Sequence, residues 1–116
     1  MSTIALGLIV LVALLHLYFL VLEMFLWTRP LGLKTFHNTP EKAETTRVLA
    51  ANQGLYNGFL AAGLLYAAIT GSREFAQFFL ACVVVAGVYG AYSVNKRIFF
   101  VQALPALLAL AAVCCL

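Results

Sequence analysis

Two side chains suited to acid–base chemistry, His16 and Glu23, interrupt the apolar stretch from Ile4 to Trp27. They are seven residues apart, so a helix turns about 700° between them and places both on one face, about 10 Å apart along its axis. A carboxylate in the middle of a bilayer costs about 2.5–3.5 kcal/mol, and such residues often mark proton routes or substrate sites. This pair is therefore the first candidate for chemistry, and other helices should supply partners for Glu23.

The composition predicts an integral membrane protein of one domain, residues 1–116. The chain is 65% hydrophobic and only 9% charged, whereas soluble domains carry about 25% charged residues and cannot bury so much apolar surface at this size. A cleaved signal peptide is disfavoured because the basic start is missing and the apolar run exceeds roughly 15 residues. The formal charge of +3 is spread over the connections and does not indicate nucleic-acid binding.

Four apolar segments predict an all-α fold, an antiparallel bundle of four transmembrane helices, since a span needs about 17–25 such residues. Short connections join neighbours at 71–74 and 95–97, which favours antiparallel packing. In the longer first connection, Thr39-Pro40-Glu41 has the composition of a helix start, with Thr39 as the N-cap and Pro40 in the first turn. The predicted helices cover about residues 3–27, 40–70, 75–94 and 98–116.

The basic residues predict the orientation of the bundle. Only Arg73 lies on the side of the termini and the second loop, whereas the first and third loops carry Arg29, Lys34, Lys42, Arg47, Lys96 and Arg97. The positive-inside rule then places these two loops in the cytoplasm and both termini outside. We expect the protein in a bacterial inner (plasma) membrane, with Trp27 at the cytoplasmic interface.

Polar side chains from all four helices are predicted to converge on Glu23. Counted from the cytoplasmic boundary, each helix has at least one polar residue in a layer about 6 Å below it, within roughly one turn of Glu23. His16 lies deeper and, with Asn57, extends this layer outward as a polar column. The candidate ligand-binding residues are Glu23, His16, Asn52, Gln53, Asn57, Tyr89, Tyr92 and Gln102.

Each of these residues also has a purely structural interpretation. Asn and Gln in membrane helices often only hydrogen-bond neighbouring helices, for about 0.6 kcal/mol on average. The tyrosines can serve as packing residues or interface anchors, and His16 as a hydrogen-bonded core residue. Glu23 is the strongest functional candidate, because Gln or Leu would cost less free energy in the bilayer if the role were only structural.

Small residues and one proline predict how the helices pack. Gly54, Gly58 and Ala62 repeat every four residues, which lets a neighbouring backbone approach closely. Pro105 lies inside the fourth apolar segment and leaves the carbonyl of Val101 without its usual donor, close to Gln102.

Several other chemistries have no support in the sequence. Metal-ligand spacings, phosphate-binding glycine loops and nucleophile motifs are missing, so no metal site and no cofactor is predicted. Cys82 fits an apolar filler. The pair Cys114–Cys115 is open to oxidation or lipid modification, although inert packing is the favoured interpretation.

The chain resembles a small bacterial membrane family, domain of unknown function 1304, over essentially its whole length. The resemblance lies in HLYFLVLEMFLW, NQGLYNGFLAAGL, VYGAYS and QALPALLAL. It implies four membrane helices and no particular activity. The motif positions are His16, Glu23, Trp27, Asn52, Gln53, Gly54, Tyr56, Asn57, Gln102 and Pro105. The size and the acid in the first helix are also similar to small multidrug resistance transporters, by analogy only.

Three functions follow as hypotheses. In the first, the protein binds or transports a small lipophilic or amphipathic molecule at Glu23, with proton coupling through Glu23 and His16, and a homodimer forms the path. In the second, Glu23 or His16 transfers a proton in an intramembrane isomerase or epoxide-opening enzyme. In the third, the chain is an accessory structural subunit that binds a membrane partner.

Overall fold

The computed structural model of the protein describes all residues, Met1–Leu116. All of its regular elements are helices, so the predicted all-α class is confirmed. The elements in chain order are α1 (Thr3–Met24), α2 (Pro30–Thr35), α3 (Pro40–Thr45), α4 (Arg47–Thr70), α5 (Arg73–Ser93), a π-helical turn (Phe99–Ala103) and α6 (Leu104–Cys115).

The first long helix ends at Met24, three residues before the predicted end, because its hydrogen bonding changes there. The amides of Phe25 and Leu26 both donate to the carbonyl of Val21. The chain then turns into α2, which starts with Pro30 in its first turn. Trp27 therefore lies in the turn after α1 rather than on the helix itself.

The predicted second helix is divided into two. Thr39 caps α3 by accepting a hydrogen bond from the backbone amide of Lys42 at 3.2 Å, and Pro40 is the first residue of that helix. A break at Thr46 separates α3 from α4, which then runs without interruption for 24 residues.

The chain folds into two compact units. The first unit contains Met1–Leu14 and Leu60–Leu116, and the second contains Leu15–Phe59. The division reflects local packing, and a single domain over residues 1–116 stays a prediction.

The first unit holds the main hydrophobic core, to which α1, α4, α5 and α6 all contribute. Alanines are the most frequent members of this core, so the helices approach closely. The core consists of Ala5, Ile9, Val12, Ala13, Ala61, Leu64, Ala67, Ala76, Leu80, Val83, Ala106, Ala109, Ala112 and Val113.

The π-helical turn lies where Pro105 interrupts the last apolar segment. Pro105 has no amide hydrogen, and the amide of Leu104 donates to the carbonyl of Phe99, five residues back. This turn packs directly against α5, because a Cβ at Gly87 would lie 2.6 Å from the backbone nitrogen of Ala103. Gln102 is part of the turn and is half-buried.

Two helices are long and apolar enough to cross a membrane. They are α1 and α5, with mean hydropathies of 2.8 and 1.8. The α4 helix is as long, but Asn52, Gln53 and Asn57 lower its apolar character, and the segment Phe99–Cys115 is apolar but shorter. Membrane crossing is thus supported at two of the four predicted spans, and the four-span bundle stays a prediction.

Candidate functional site: an acid–amide pair between two helices

Glu23 and Asn57 form the hydrogen bond at the centre of the candidate site. Both lie in the second unit, Glu23 near the end of α1 and Asn57 in α4, 34 residues further along the chain. The amide Nδ2 of Asn57 donates to Oε1 of Glu23 at 2.5 Å, and both side chains are half-buried. A bond from an amide to a carboxylate is charge-assisted and among the stronger hydrogen bonds.

Glycines in α4 allow this bond to form. A Cβ added at Gly54 would lie 2.6 Å from Cγ of Met24 and 3.2 Å from both Cβ of Glu23 and the carbonyl oxygen of Leu20. A Cβ at Gly58 would lie 2.7 Å from Cδ1 of Leu20. The small-residue face of α4 therefore packs on the last two turns of α1, at the level of Glu23.

The pair has acceptor oxygens that remain available. Glu23 makes a single hydrogen bond within the chain, through Oε1, and the chain has no buried side-chain oxygen without a partner. Oε2 of Glu23 and Oδ1 of Asn57 are therefore accessible from outside the protein. Two accessible acceptors beside each other suit a group that donates hydrogen bonds or carries positive charge.

The segment after α1 closes the end of the second unit with contacts of its own. The indole Nε1 of Trp27 donates to Oγ1 of Thr46 at 3.1 Å, and the rings of Trp27 and Phe36 lie 4.9 Å apart. Gly32 of α2 is buried, and a Cβ there would collide with the backbone of Leu26. These contacts hold the first connection as a folded cap on the helix pair that carries Glu23 and Asn57.

The family model described as "Protein of unknown function (DUF1304)" matches residues 10–114 of this chain. The chain belongs to the DUF1304 family. The uncharacterized protein YpaA of Lactococcus lactis subsp. lactis (strain IL1403) is 33% identical over 114 residues, which cover 95% of this chain and 96% of that protein. No solved structure matches the chain significantly.

The other two α4 candidates of this DUF1304 protein, Asn52 and Gln53, make no hydrogen bond to Glu23. Both are exposed, and Tyr56 on the same helix is 56% exposed. Gly54 and Asn57 face α1, and Asn52 lies about 160° round the helix from Gly54 at 100° per residue. The structure thus joins Asn57 to Glu23 and leaves Asn52 and Gln53 outside that contact.

His16 is fully buried and lies on α1 within the second unit. Its ring contacts the ring of Phe19 edge-on, with centroids 5.2 Å apart. Seven residues of helix separate it from Glu23, so about 10 Å along the axis lies between the two groups. His16 is therefore too far along the helix to hydrogen-bond Glu23 directly.

Three candidates belong to the first unit. Tyr89 and Tyr92 are 69% and 89% exposed on α5, and Gln102 is half-buried in the π-helical turn. Their predicted place beside Glu23, which lies in the other unit, stays a prediction.

The sequence did not predict the hydrogen bond between Trp27 and Thr46 that holds the folded cap. Thr46 is 19 residues from Trp27, and no local pattern links them. Nor did it indicate that Arg73 donates to the carbonyl of Val113 at the end of α6, beside a weak contact from Gln77 to the sulfur of Cys114. A basic residue is well placed there, because the last carbonyls of a helix lack internal donors.

Two open grooves lie along α5, in the first unit. One, of about 490 Å³, is lined by side chains that include Phe78, Cys82 and Tyr89, and the other by Glu74 and three phenylalanines. Neither groove is lined by Glu23 or Asn57. The structure contains no group of three or more His, Cys, Asp or Glu side chains arranged to hold a metal ion.

Proposed function

We propose that this DUF1304 protein crosses the bilayer four times, with α1, α4, α5 and the segment Phe99–Cys115 as spans. The main support is that the two helices long and apolar enough to span, α1 and α5, are mostly exposed: only 28% and 22% of their apolar windows are buried. Core helices of soluble proteins hide such surfaces from water, whereas lipid covers them in a membrane.

The proposed orientation follows from the basic residues. The connection from Thr28 to Thr46 and the turn at 95–97 face the cytoplasm of a bacterial inner membrane, and both termini face outward. The contact of Trp27 with Thr46 supports this placement, because an indole with its N–H bonded at a polar edge suits the interface.

Within this bundle, we propose that the Glu23–Asn57 pair binds a small amphipathic molecule through a cationic or hydrogen-bond-donating group. The observation that carries this proposal is the 2.5 Å bond from Asn57 to one carboxylate oxygen, which leaves the other oxygen accessible. Asn57 fixes the carboxylate, and Oε2 together with Oδ1 of Asn57 accepts from the ligand. The apolar surroundings suit the lipophilic part of such a molecule.

The same carboxylate is proposed to exchange a proton for the ligand. Ionisable residues within membrane helices commonly serve as proton relays, and a cation and a proton would compete for one carboxylate. Binding of a cationic ligand should therefore weaken as the pH falls, since a protonated Glu23 has lost its charge.

The test uses purified protein in liposomes and the fluorescent lipophilic amine dansylcadaverine, over a series of pH values. A charge-assisted hydrogen bond is worth about 1.5–3 kcal/mol, so Glu23→Gln should weaken binding roughly tenfold to hundredfold and remove its pH dependence. The matched control is Glu74→Gln, since Glu74 is exposed in the first turn of α5 and is unrelated to the pair.

An uncharged counterpart separates recognition of charge from simple partition into the protein. N-acetylated dansylcadaverine should bind weakly and with the same affinity to the wild type and to Glu23→Gln. Unchanged amine binding or flux by Glu23→Gln across the whole pH series would rule the proposal out.

A further inference from the structure

The outer face of α4 carries an amide without a partner. Asn52 is exposed and makes no hydrogen bond within the chain, although its carboxamide both donates and accepts. It lies five residues after Arg47, so about 7.5 Å of helix separates it from the start of α4. If α4 spans the bilayer, as proposed above, this amide lies in or near the hydrocarbon, where an unsatisfied polar group is unfavourable.

Large apolar side chains surround this amide on the same face. Val48, Leu55 and Phe59 are 68%, 42% and 58% exposed. With Asn52 they are spaced by four, three and four residues, the pattern of a left-handed helix seam. At 100° per residue these four side chains lie within about 60° of one another, on the side of α4 away from Gly54. Hydropathy alone does not reveal the seam, because apolar residues also occupy the other faces of the helix.

A second copy of the chain is the partner that this seam fits. Copies inserted in the same orientation are related by a two-fold axis along the membrane normal, which makes their α4 helices parallel and brings identical positions together. Asn52 would then meet Asn52 of the other copy, and each carboxamide would supply the donor and the acceptor that the other needs. One asparagine among apolar seam residues is a known means of fixing the register of a parallel helix pair.

We propose that Val48, Asn52, Leu55 and Phe59 form the α4 seam of a parallel homodimer, with the two Asn52 side chains hydrogen-bonded to each other. This inference rests on the proposed membrane span of α4. It does not involve the acid–amide pair, because Asn57 and Gly54 face α1 on the other side of the same helix.

The test is oxidative cross-linking in liposomes, in a chain whose own thiols are removed by Cys82→Ala, Cys114→Ala and Cys115→Ala. Leu55→Cys lies in the seam and should form a disulfide-linked dimer. Gln53→Cys is the matched control, because Gln53 is also exposed but lies about 160° round the helix from Leu55. Adding Asn52→Leu to Leu55→Cys should weaken association about threefold to thirtyfold in a lipid-dilution series, and Asn52→Gln should retain it.

Equal cross-linking at Gln53→Cys and Leu55→Cys would overturn the proposed seam. The absence of cross-linking at both positions would also overturn it, because lipid alone would then cover this face. No effect of Asn52→Leu would overturn the role of the amide. Dansylcadaverine binding, measured on the unoxidised Leu55→Cys chain, keeps the two proposals apart. Binding without cross-linking rejects only the dimer, and cross-linking without binding rejects only the proposed ligand site.

Discussion

The two compact units of this chain share the long helices α1 and α4 but use them differently. In the first unit, α1, α4, α5 and α6 enclose an apolar, alanine-rich core. In the second unit, the later part of α1 and the earlier part of α4 meet through a carboxylate and an amide, and the fully buried His16 lies on the same stretch of α1. Close packing is common to both units, and in the second a carboxylate and an amide also join the two helices.

This difference indicates that small residues have two roles in one protein. Gly87 brings α5 against the backbone of the π-helical turn, a contact between main chains. Gly54 brings α4 against side chains of α1 that include Glu23. Enlarging the first glycine should affect stability alone, whereas enlarging the second should affect both stability and the site.

The largest loss of stability is expected for Gly87→Ala. Its Cβ would lie 2.6 Å from the backbone nitrogen and 2.9 Å from Cα of Ala103, so a helix and not a side chain must move. Overpacking typically costs about 1–3 kcal/mol, and this site should reach the upper end. The loss in unfolding free energy is measured by reversible unfolding in mixed detergent micelles.

Gly7→Ala is the control for that experiment, because nothing lies within 4 Å of its added Cβ. It should be neutral or stabilise the helix by about 0.5–1 kcal/mol. Amine binding per folded molecule should be unchanged in Gly87→Ala. A loss of binding in Gly87→Ala would mean that packing in the first unit also affects the ligand site in the second.

Gly54→Ala should have a smaller effect on stability and a clear effect on binding. Met24 can move away from the new Cβ, but Cβ of Glu23 and the carbonyl of Leu20 lie at 3.2 Å and leave little room. We expect a loss of about 1–2 kcal/mol in stability and weaker dansylcadaverine binding, because α4 shifts away from Glu23. If binding stays at the wild-type level while stability falls, the distance between α1 and α4 does not control the site.

The smallest effect is expected at the folded cap of the second unit. Trp27→Phe keeps an aromatic ring against Phe36 but removes the indole N–H that donates to Thr46. One such hydrogen bond contributes about 1 kcal/mol, so the unfolding free energy should fall by about that amount. Thr46→Val should lose at least as much, because the hydroxyl of Thr46 also donates to the carbonyl of Lys42, and the double variant should lose little more than Thr46→Val alone. Additive losses would show that the bond is not formed.

The features that could be predicted from the sequence are those that follow from local pattern. Apolar runs identified the long helices, and the Thr39-Pro40-Glu41 signal lies at the start of α3. The four-residue repeat of Gly54 and Gly58 correctly indicated close approach by a neighbour, which the structure identifies as α1. Depth counted along the helices placed Asn52 and Gln53 at the level of Glu23 and Asn57 about one turn deeper, so it did not identify Asn57 as the partner of Glu23.

The sequence could not show what depends on rotation about a helix axis. Asn52, Gln53 and Asn57 lie close together in α4, yet only Asn57 hydrogen-bonds Glu23. On a helix that is apolar nearly all round, hydropathy does not define which side is buried. The end of α1 at Met24 was also missed, because Trp27 continues the apolar run while the chain already turns toward α2.

Glu23 and Asn57 are proposed to act as one binding unit, which a double-mutant cycle can examine. Dansylcadaverine affinity is measured in liposomes for the wild type, Glu23→Gln, Asn57→Leu and the double variant at one pH. We predict that each single change weakens binding and that the double variant binds no worse than Glu23→Gln, because the amide acts by orienting the carboxylate. Additive losses, or full affinity in Asn57→Leu, would mean that the amide does not act through the carboxylate.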